Sequence, residues 1–286
     1  MKERKKVELT TERKLREFLE EDLGSGDITT DILIPEEVEA TSVIRTKEDG
    51  VIAGLEEIEA LSKLLGLTFT QRAKDGEKVR KGTVLAEITG GARNLLKAER
   101  LLLNLLSHMS GIATTTRTAI ELAHKENSKV KIAATRKTLP GLRFFEKKAV
   151  ILGGGDPHRY DLSSMVLIKD NHIKIAGSLE TALNRAREKA SFTQKIAIEV
   201  TSPPEALKAA KAGADIIMFD NMSQTDIRKA VRLVEKNQLR NKVILEASGG
   251  ITLENVRSYA ATEVDVISMG SLTHSSKALD VTMKIA

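Results

Sequence analysis

The second half of the chain alternates between short apolar runs and longer segments with helical periodicity. Six apolar runs lie at 132–134, 166–168, 196–198, 216–219, 243–245 and 266–269. Runs of this length between helical segments predict parallel βα units. In a parallel α/β barrel the carboxyl ends of the strands share one face, and the active site lies there. We therefore expect the residues that end these runs to meet in one cavity, although six strands do not demonstrate a complete eight-stranded barrel.

The first hundred residues follow a different pattern. Strand-like runs cover residues 40–45, 67–73 and 83–88, and a helical pattern covers 55–65. Glycine-containing turns interrupt residues 67–88, which predicts antiparallel strands there. This half is therefore an α+β mixture and not a βα repeat.

Several helix boundaries can be read directly in the second half. Ser178 is placed to cap a helix over 179–189, and Pro203 and Gly213 mark the start and end of the next. Proline in the first turn and glycine just past the end are typical of helices. A further helix is predicted to begin at Thr252.

Residues 95–106 are apolar on several faces, which predicts a helix buried on more than one side. Such a helix suits a hinge between domains or a dimer interface. We place an N-terminal α+β domain at 1–112 and an α/β barrel with the active site at 113–273. The tail, 274–286, is expected to return to the first domain.

Composition narrows the function classes. The chain has 286 residues, 45 Lys and Arg against 40 Asp and Glu, and a net charge of +5. Aromatic residues make up only 3%, which leaves little material for stacking nucleic-acid bases. The basic run 2–6 is read as a solvated tail. No cysteine is present, so disulfides and thiolate metal sites are excluded.

No apolar run approaches the length of a membrane span, and the N-terminus is charged without an apolar segment of signal-peptide type. These features predict a cytoplasmic protein.

Cations follow two of the early strands. Arg136 and Lys137 are adjacent, and neighbouring cations repel each other unless an anion lies between them. Lys169 ends the next run and could neutralise a phosphate or a carboxylate. Arg136 and Lys137 could instead be a pair of cations on the surface. Lys169 could instead lie at the barrel rim with its ammonium in solvent.

A glycine run, 153–155, leads into His158 and Arg159. A mobile loop could carry these donors onto an anionic ligand. Termination of the preceding helix is the alternative interpretation.

Carboxylates and glycines follow the later strands. Glu199 and Asp220 could hold a divalent metal, accept hydrogen bonds from ribose hydroxyls, or pair with Lys137 and Lys169 as a structural network. The turn 248–250, which is expected to open a helix, and Gly270 offer backbone N–H groups for an anion, at a position where many barrels bind phosphate.

Many ordered blocks of this chain together resemble one enzyme family. They lie at 21–29, 98–100, 110–113, 135–138, 140–143, 153–155, 158–159, 168–172, 199–200, 219–221 and 246–250. The chain resembles the quinolinate phosphoribosyltransferases, the decarboxylating nicotinate-nucleotide pyrophosphorylases of NAD biosynthesis. The resemblance implies an N-terminal α+β sandwich domain and a C-terminal open, incomplete α/β barrel. It also implies transfer of phosphoribosyl from phosphoribosyl pyrophosphate to quinolinate, with loss of CO2.

The resemblance also implies a site. Residues expected to bind substrate are Arg100, Thr135, Arg136, Lys137, His158, Arg159, Lys169, Glu199, Asp220, Glu246, Ser248, Gly249, Gly250 and Gly270. Lys137, Lys169, Glu199 and Asp220 are the expected catalytic residues. Glu199 and Asp220 would face the Mg²⁺ that accompanies phosphoribosyl pyrophosphate, directly or only through water.

The family resemblance further implies a homodimer, or an assembly of dimers, with shared sites to which Arg100 of one subunit contributes in the other. Neither nucleic acid nor a membrane is an expected partner. Pro157 departs from the asparagine that relatives often carry, and it removes a backbone donor beside His158.

Three other functions compete with this interpretation. A related pyrophosphorylase of the type associated with molybdenum transport would keep the fold and change the acceptor. A sugar-phosphate aldolase or isomerase would need a lysine in an apolar pocket. A carrier domain is suggested by residues 75–88, but no Met-Lys-Met sequence occurs there.

Overall fold

The computed structural model describes the backbone of residues 2–286 and the side chains from residue 11 onward. The chain divides into two compact units, residues 1–114 with 276–286, and residues 115–275. The basic run 2–6 opens the first helix, and its side chains lie outside the described residues.

The first unit contains two small sheets and four helices, one of which continues past the boundary. Its elements before the boundary are α1 (Lys2–Leu23), α2 (Ile28–Leu33), β1 (Glu39–Thr46), β2 (Gly50–Val51), α3 (Leu55–Leu64), β3 (Thr68–Gln71), β4 (Lys78–Val79), β5 (Val84–Gly91) and α4 (Ala92–Ala123). Sequence reasoning missed α1, whose residues are mostly charged and carry only a weak apolar stripe.

The second unit alternates strands and helices. Its elements are β6 (Lys131–Ala133), α5 (Arg143–Leu152), β7 (Val166–Ile168), α6 (Asp170–Ala176), α7 (Leu179–Lys189), β8 (Ile196–Val200), α8 (Pro203–Lys211), β9 (Ile216–Asp220), α9 (Gln224–Lys236), β10 (Ile244–Ser248), α10 (Val256–Ala260), β11 (Val266–Ser268) and α11 (Ser271–His274). The chain then ends in β12 (Val281–Ile285), which belongs to the first unit.

The main sheet of the first unit is antiparallel, with the order β12-β1-β5-β3. The C-terminal segment therefore does return to the first unit, as a strand beside β1. Gly54 directly precedes helix α3, and the carboxylate of Asp75 accepts hydrogen bonds from the N–H groups of Gly54 and Leu55 at 2.8 and 3.0 Å. These bonds satisfy donors that a helix start leaves open.

The core of the first unit is built from the buried faces of these elements. Ile44 of β1, Ile58 of α3, Ile88 of β5 and Leu102 of α4 are each fully buried in one cluster. The predicted helix 95–106 is thus confirmed as part of the longer α4.

The sheet of the second unit is parallel, with the order β6-β11-β10-β9-β8-β7. Among the described residues no ladder joins the two edge strands, β6 and β7, so the barrel is open. The predicted fold class, an α+β domain with an incomplete α/β barrel, is confirmed.

Helix starts in this unit follow the predicted caps in part. Ser178 accepts a hydrogen bond from the N–H of Thr181, and α7 has the predicted bounds. The prediction that a helix begins at Thr252 was wrong by four residues. Asn255 accepts from the N–H of Thr252 at 2.9 Å and closes a turn, and α10 starts only after it. Asparagine competes with helix formation in this way.

No helix in the described part of the chain combines the length and the apolar character needed to cross a bilayer.

Candidate active site

A cavity of about 400 Å³ lies at the carboxyl ends of the strands of the second unit. Residues two apart on a strand share a face, and two such pairs line the cavity, Met218 with Asp220 on β9 and Glu246 with Ser248 on β10. Leu167 and Ser268 line it from β7 and β11, and Lys169 and Gly270 line it from positions shortly after those strands. The volume is within the range of small-molecule sites.

The structure brings together almost all the residues that the sequence singled out. Those lining the cavity are Thr135, Arg136, Lys137, His158, Arg159, Lys169, Glu199, Asp220, Glu246, Ser248, Gly249, Gly250 and Gly270. Arg100 is not among them. It is an exposed residue on the part of α4 that belongs to the first unit. The roles of these residues in binding stay predictions.

Four cations surround the cavity: Arg136, Lys137, Arg159 and Lys169. Burial lowers the pKa of the Arg159 guanidinium, and the nearby Arg136 lowers it further, while Glu199 and Glu246 act in the opposite direction. Arginine nevertheless keeps its charge at physiological pH. Mutual repulsion among such groups favours a ligand that carries several negative charges.

The Lys169 ammonium lies 2.8 Å from Oε1 of Glu199, across the neighbouring strands β7 and β8. The predicted pairing of a strand-end lysine with a strand-end carboxylate is confirmed for these two residues. Asp220 instead accepts a hydrogen bond from the side chain of Asn221 at 3.1 Å.

A buried carboxylate faces the cavity from β10. Oε2 of Glu246 lies 3.3 Å from Nε2 of His158, and the Glu246 side chain is only 2% exposed. Three buried polar atoms of the cavity walls have no hydrogen-bond partner: Oε1 of Glu246, Nε of Arg136 and Oγ of Ser268. Unpartnered buried polar atoms are costly, so each of the three is a candidate for contact with a ligand or an ordered water.

Two consecutive glycines shape the wall after β10. Gly249 and Gly250 have φ of +94° and +59°, backbone conformations that residues other than glycine rarely adopt. A Cβ on Gly249 would lie 2.4 Å from the side-chain oxygen of Asn221. At Gly249 only a bare backbone fits, and the backbone N–H groups of such a turn are suited to an anion.

One part of the anion-site prediction was wrong. The turn 248–250 does not open a helix, because α10 begins six residues later, at Val256. The side chain of Asn255 donates to the carbonyl of Gly250 and holds the intervening turn. Gly270, by contrast, directly precedes the single-turn helix α11.

The glycine run 153–155 ends α5, as the helix-termination interpretation expected. A Cβ on Gly155 would lie 2.7 Å from Thr116 Cγ2 and 3.2 Å from the carbonyl of Ile132, so the run also packs closely against its surroundings. The same segment places His158 and Arg159 at the cavity.

Sequence reasoning missed several polar lining residues: Asn221, Thr252, Ser268, Ser271 and His274. Ser268 was within reach, because it ends β11 at the strand edge where the cavity was predicted, two positions before Gly270. His274 lies four residues after Gly270, one helical turn along α11. A short helix carries too weak a pattern to be predicted from sequence.

Family comparisons cover most of the chain. Residues 27–110 match the model of the quinolinate phosphoribosyl transferase N-terminal domain, and residues 112–284 match that of its C-terminal domain. The open barrel and its cation-lined mouth define a class of α/β-barrel enzyme that acts on anionic small molecules. Within that class the chain belongs to the quinolinate phosphoribosyl transferase family.

Individual relatives agree with this assignment. A probable nicotinate-nucleotide pyrophosphorylase (carboxylating) of Methanothermobacter thermautotrophicus is 44% identical, over 95% of this chain and 97% of the relative. The human nicotinate-nucleotide pyrophosphorylase (carboxylating) is 40% identical, over 84% of this chain and 80% of the relative. The solved pyrophosphorylase of Francisella tularensis is 36% identical, with a TM-score of 0.90 over 98% of this chain and 97% of that one.

Proposed function

We propose that the protein transfers the phosphoribosyl group of phosphoribosyl pyrophosphate to quinolinate. The products are nicotinate mononucleotide, pyrophosphate and CO2. The observation that carries this proposal is the convergence of four cations and three carboxylates on one cavity at the strand ends. Membership of the family supports the choice of this reaction.

The cations suit a pair of substrates that repel each other. Quinolinate carries two carboxylates, and the donor carries several phosphate charges. We assign the carboxylates to Arg136, His158, Arg159 and Lys169, and to Arg100 of a second subunit. Bringing both anions together and aligning the ring nitrogen with the anomeric carbon provides most of the catalysis.

The donor phosphates have a different environment. We assign the 5-phosphate to the backbone N–H groups of Ser248, Gly249, Gly250 and Gly270, which line the cavity. Lys137 lines the same cavity, and we assign it, with the other cations, to the carboxylates of quinolinate. Thr135 and Glu246 complete the substrate-binding set.

Glu199 and Asp220 are assigned to the ribose, where positive charge develops as pyrophosphate leaves. They also fit a Mg²⁺ ion, which commonly uses one or two protein carboxylates together with substrate phosphates. No cluster of three or more acidic or histidine side chains suited to a metal occurs in the described residues, so the donor would supply most of the ligands. The ion would neutralise the leaving pyrophosphate.

The chemistry needs few protein groups beyond these. The pyridine nitrogen attacks with its own lone pair and needs no general base. Once that nitrogen is quaternary, the neighbouring carboxylate leaves as CO2, and the positive ring stabilises the electron pair that stays on carbon. That carbon then takes up a proton from water. Lys137, Lys169, Glu199 and Asp220 therefore act by position and charge.

Two further parts of the proposal concern the setting. We infer a homodimer, or an assembly of dimers, in which Arg100 of one subunit completes the site of the other. We also infer a cytoplasmic location, since both substrates are multiply charged and cross an apolar barrier poorly.

A direct assay tests the function. The purified protein, quinolinate, phosphoribosyl pyrophosphate and Mg²⁺ should give nicotinate mononucleotide and CO2 in equal amounts, measured by chromatography and by release of labelled carbon. A parallel reaction with nicotinate as acceptor is the control. Product from nicotinate and none from quinolinate would overturn the assigned acceptor.

A further inference from the structure

Lys147 is an unusual residue for its position. It lies on α5 with no exposed surface, although lysine is among the residues least often buried. Its ammonium donates to two backbone carbonyls, that of Pro157 and, at 2.9 Å, that of Arg159. The ring of Tyr160 lies 5.3 Å from the same nitrogen, within the range of a cation–π contact.

The two carbonyls stand on either side of His158. This residue has a φ of +54°, a left-handed conformation that is uncommon outside glycine. Its N–H donates to Oδ1 of Asp156 at 2.7 Å. Pro157 has no N–H to contribute, so the segment 157–159 is held in part through its carbonyl groups.

The segment 157–159 contributes two residues to the lining of the cavity. His158 and Arg159 both line it, and His158 reaches Glu246 across it. Lys147 itself is not a lining residue. Any effect of Lys147 on a ligand therefore passes through the backbone on which His158 and Arg159 are mounted.

The charge of Lys147 depends on pH close to neutrality. Its pKa is lowered to about 8, mainly by burial and also by the nearby Arg143, Arg136 and Arg159, while Asp156 acts in the opposite direction. The adjacent Tyr160 has its pKa raised by burial and stays neutral in this range. The ammonium is therefore present at pH 7 and is lost as the pH rises through about 8.

We propose that Lys147 is a positioning residue that holds His158 and Arg159 for the acceptor, and that binding of the acceptor requires its positive charge. This rests on the proposed function, in which His158 and Arg159 bind the carboxylates of quinolinate. A misplaced binding group costs far more than its distance from the chemistry suggests.

The first test compares wild type with Lys147→Met, which keeps the length and apolar stem but removes the charge. The KM for quinolinate should rise by about tenfold to a hundredfold, while the KM for phosphoribosyl pyrophosphate changes less than about twofold. Lys229→Met is the matched control, because Lys229 is a 64% exposed lysine on α9, outside the cavity. Circular dichroism and the thermal midpoint establish that each variant is folded.

The second test uses wild type alone and so does not depend on the folding of a variant. The kcat/KM for quinolinate should fall with a midpoint near pH 8, and the kcat/KM for the donor should not show this step. In a folded Lys147→Met protein the step should disappear.

The outcomes separate the two proposals. A wild type without quinolinate-dependent product refutes the proposed function. If the wild type is active, two results for the folded Lys147→Met variant overturn the role of Lys147. These are an unchanged KM for quinolinate and an equal rise in the KM values of both substrates. An unchanged alkaline step in the variant, or no step in wild type, also overturns it.

Discussion

At the scale of single residues, the cavity depends on places where no side chain fits. Gly249 combines a φ of +94° with a wall formed by Asn221, whose backbone nitrogen would lie 2.8 Å from an added Cβ. Both the conformation and the space exclude alanine. We therefore assign ligand binding at this wall to backbone N–H groups.

Gly249→Ala should weaken binding of the donor. The added methyl must displace Asn221 and the backbone to which we assign the donor phosphate, so we expect kcat/KM for phosphoribosyl pyrophosphate to fall by about a hundredfold. The free energy of unfolding should fall by about 1–3 kcal/mol. Steady-state kinetics and urea unfolding measure the two effects.

Gly66→Ala is the control for Gly249→Ala. Gly66 has a φ of +71° but nothing within 4 Å of an added Cβ, so this change introduces strain without a clash. It should cost about 1 kcal/mol of stability and leave the kinetics unchanged. A Gly249→Ala enzyme with a normal KM for the donor would show that this backbone does not bind its phosphate.

At the scale of elements, close packing decides what a helix tolerates. Gly111 of α4 lies where an added Cβ would be 2.2 Å from the carbonyl of Lys277, in the segment that leads to β12. Helix propensity alone would favour alanine here by about 1 kcal/mol. The clash with backbone atoms destabilises the folded state by more than helix propensity stabilises it, because the carbonyl cannot rotate away.

Gly111→Ala should therefore destabilise the protein by about 1–3 kcal/mol, the usual cost of overpacking. The midpoint of thermal unfolding measures the change. Gly91→Ala, at the end of β5 with nothing within 4 Å of the added Cβ, should leave that midpoint nearly unchanged. A higher midpoint for Gly111→Ala would mean that helix propensity outweighs packing at this position.

At the scale of the whole molecule, the proposed site draws on more than one unit of the chain. Arg136 lines the cavity of the second unit, and Arg100 belongs to the first. If Arg100 acts in a neighbouring subunit, a mixed dimer contains one complete site. The subunit that lacks Arg100 keeps its own Arg136 and receives Arg100 from the subunit that lacks Arg136.

Mixing Arg100→Ala with Arg136→Ala should then restore activity. Random pairing in a symmetric dimer rebuilds about a quarter of the sites. Activity is measured after unfolding and refolding the mixture, with mixed dimers verified by mass spectrometry. Mixing Arg136→Ala with Lys169→Ala is the control and should restore nothing, since both residues line the same cavity. Equal activity in the two mixtures would reject sharing of sites.

Much of the site could be predicted because its signals are local. The side chains of Lys169, Glu199 and Asp220 end apolar runs, and parallel strands gather such ends at one edge of a sheet. Ser178 caps α7 because a cap contacts only the next turn of its own helix. The open barrel followed from the family resemblance rather than from the count of strands.

The sequence by itself determined the βα repeat, the charges at the strand ends and the glycines of the cavity wall, because each depends on neighbours in the chain. Only the tertiary structure decided that β12 pairs with β1, and that Lys147, one of two adjacent lysines, turns inward to the carbonyls of Pro157 and Arg159. The same residue type is solvated on one face of a helix and buried on another, and what packs against that face is set by distant parts of the chain.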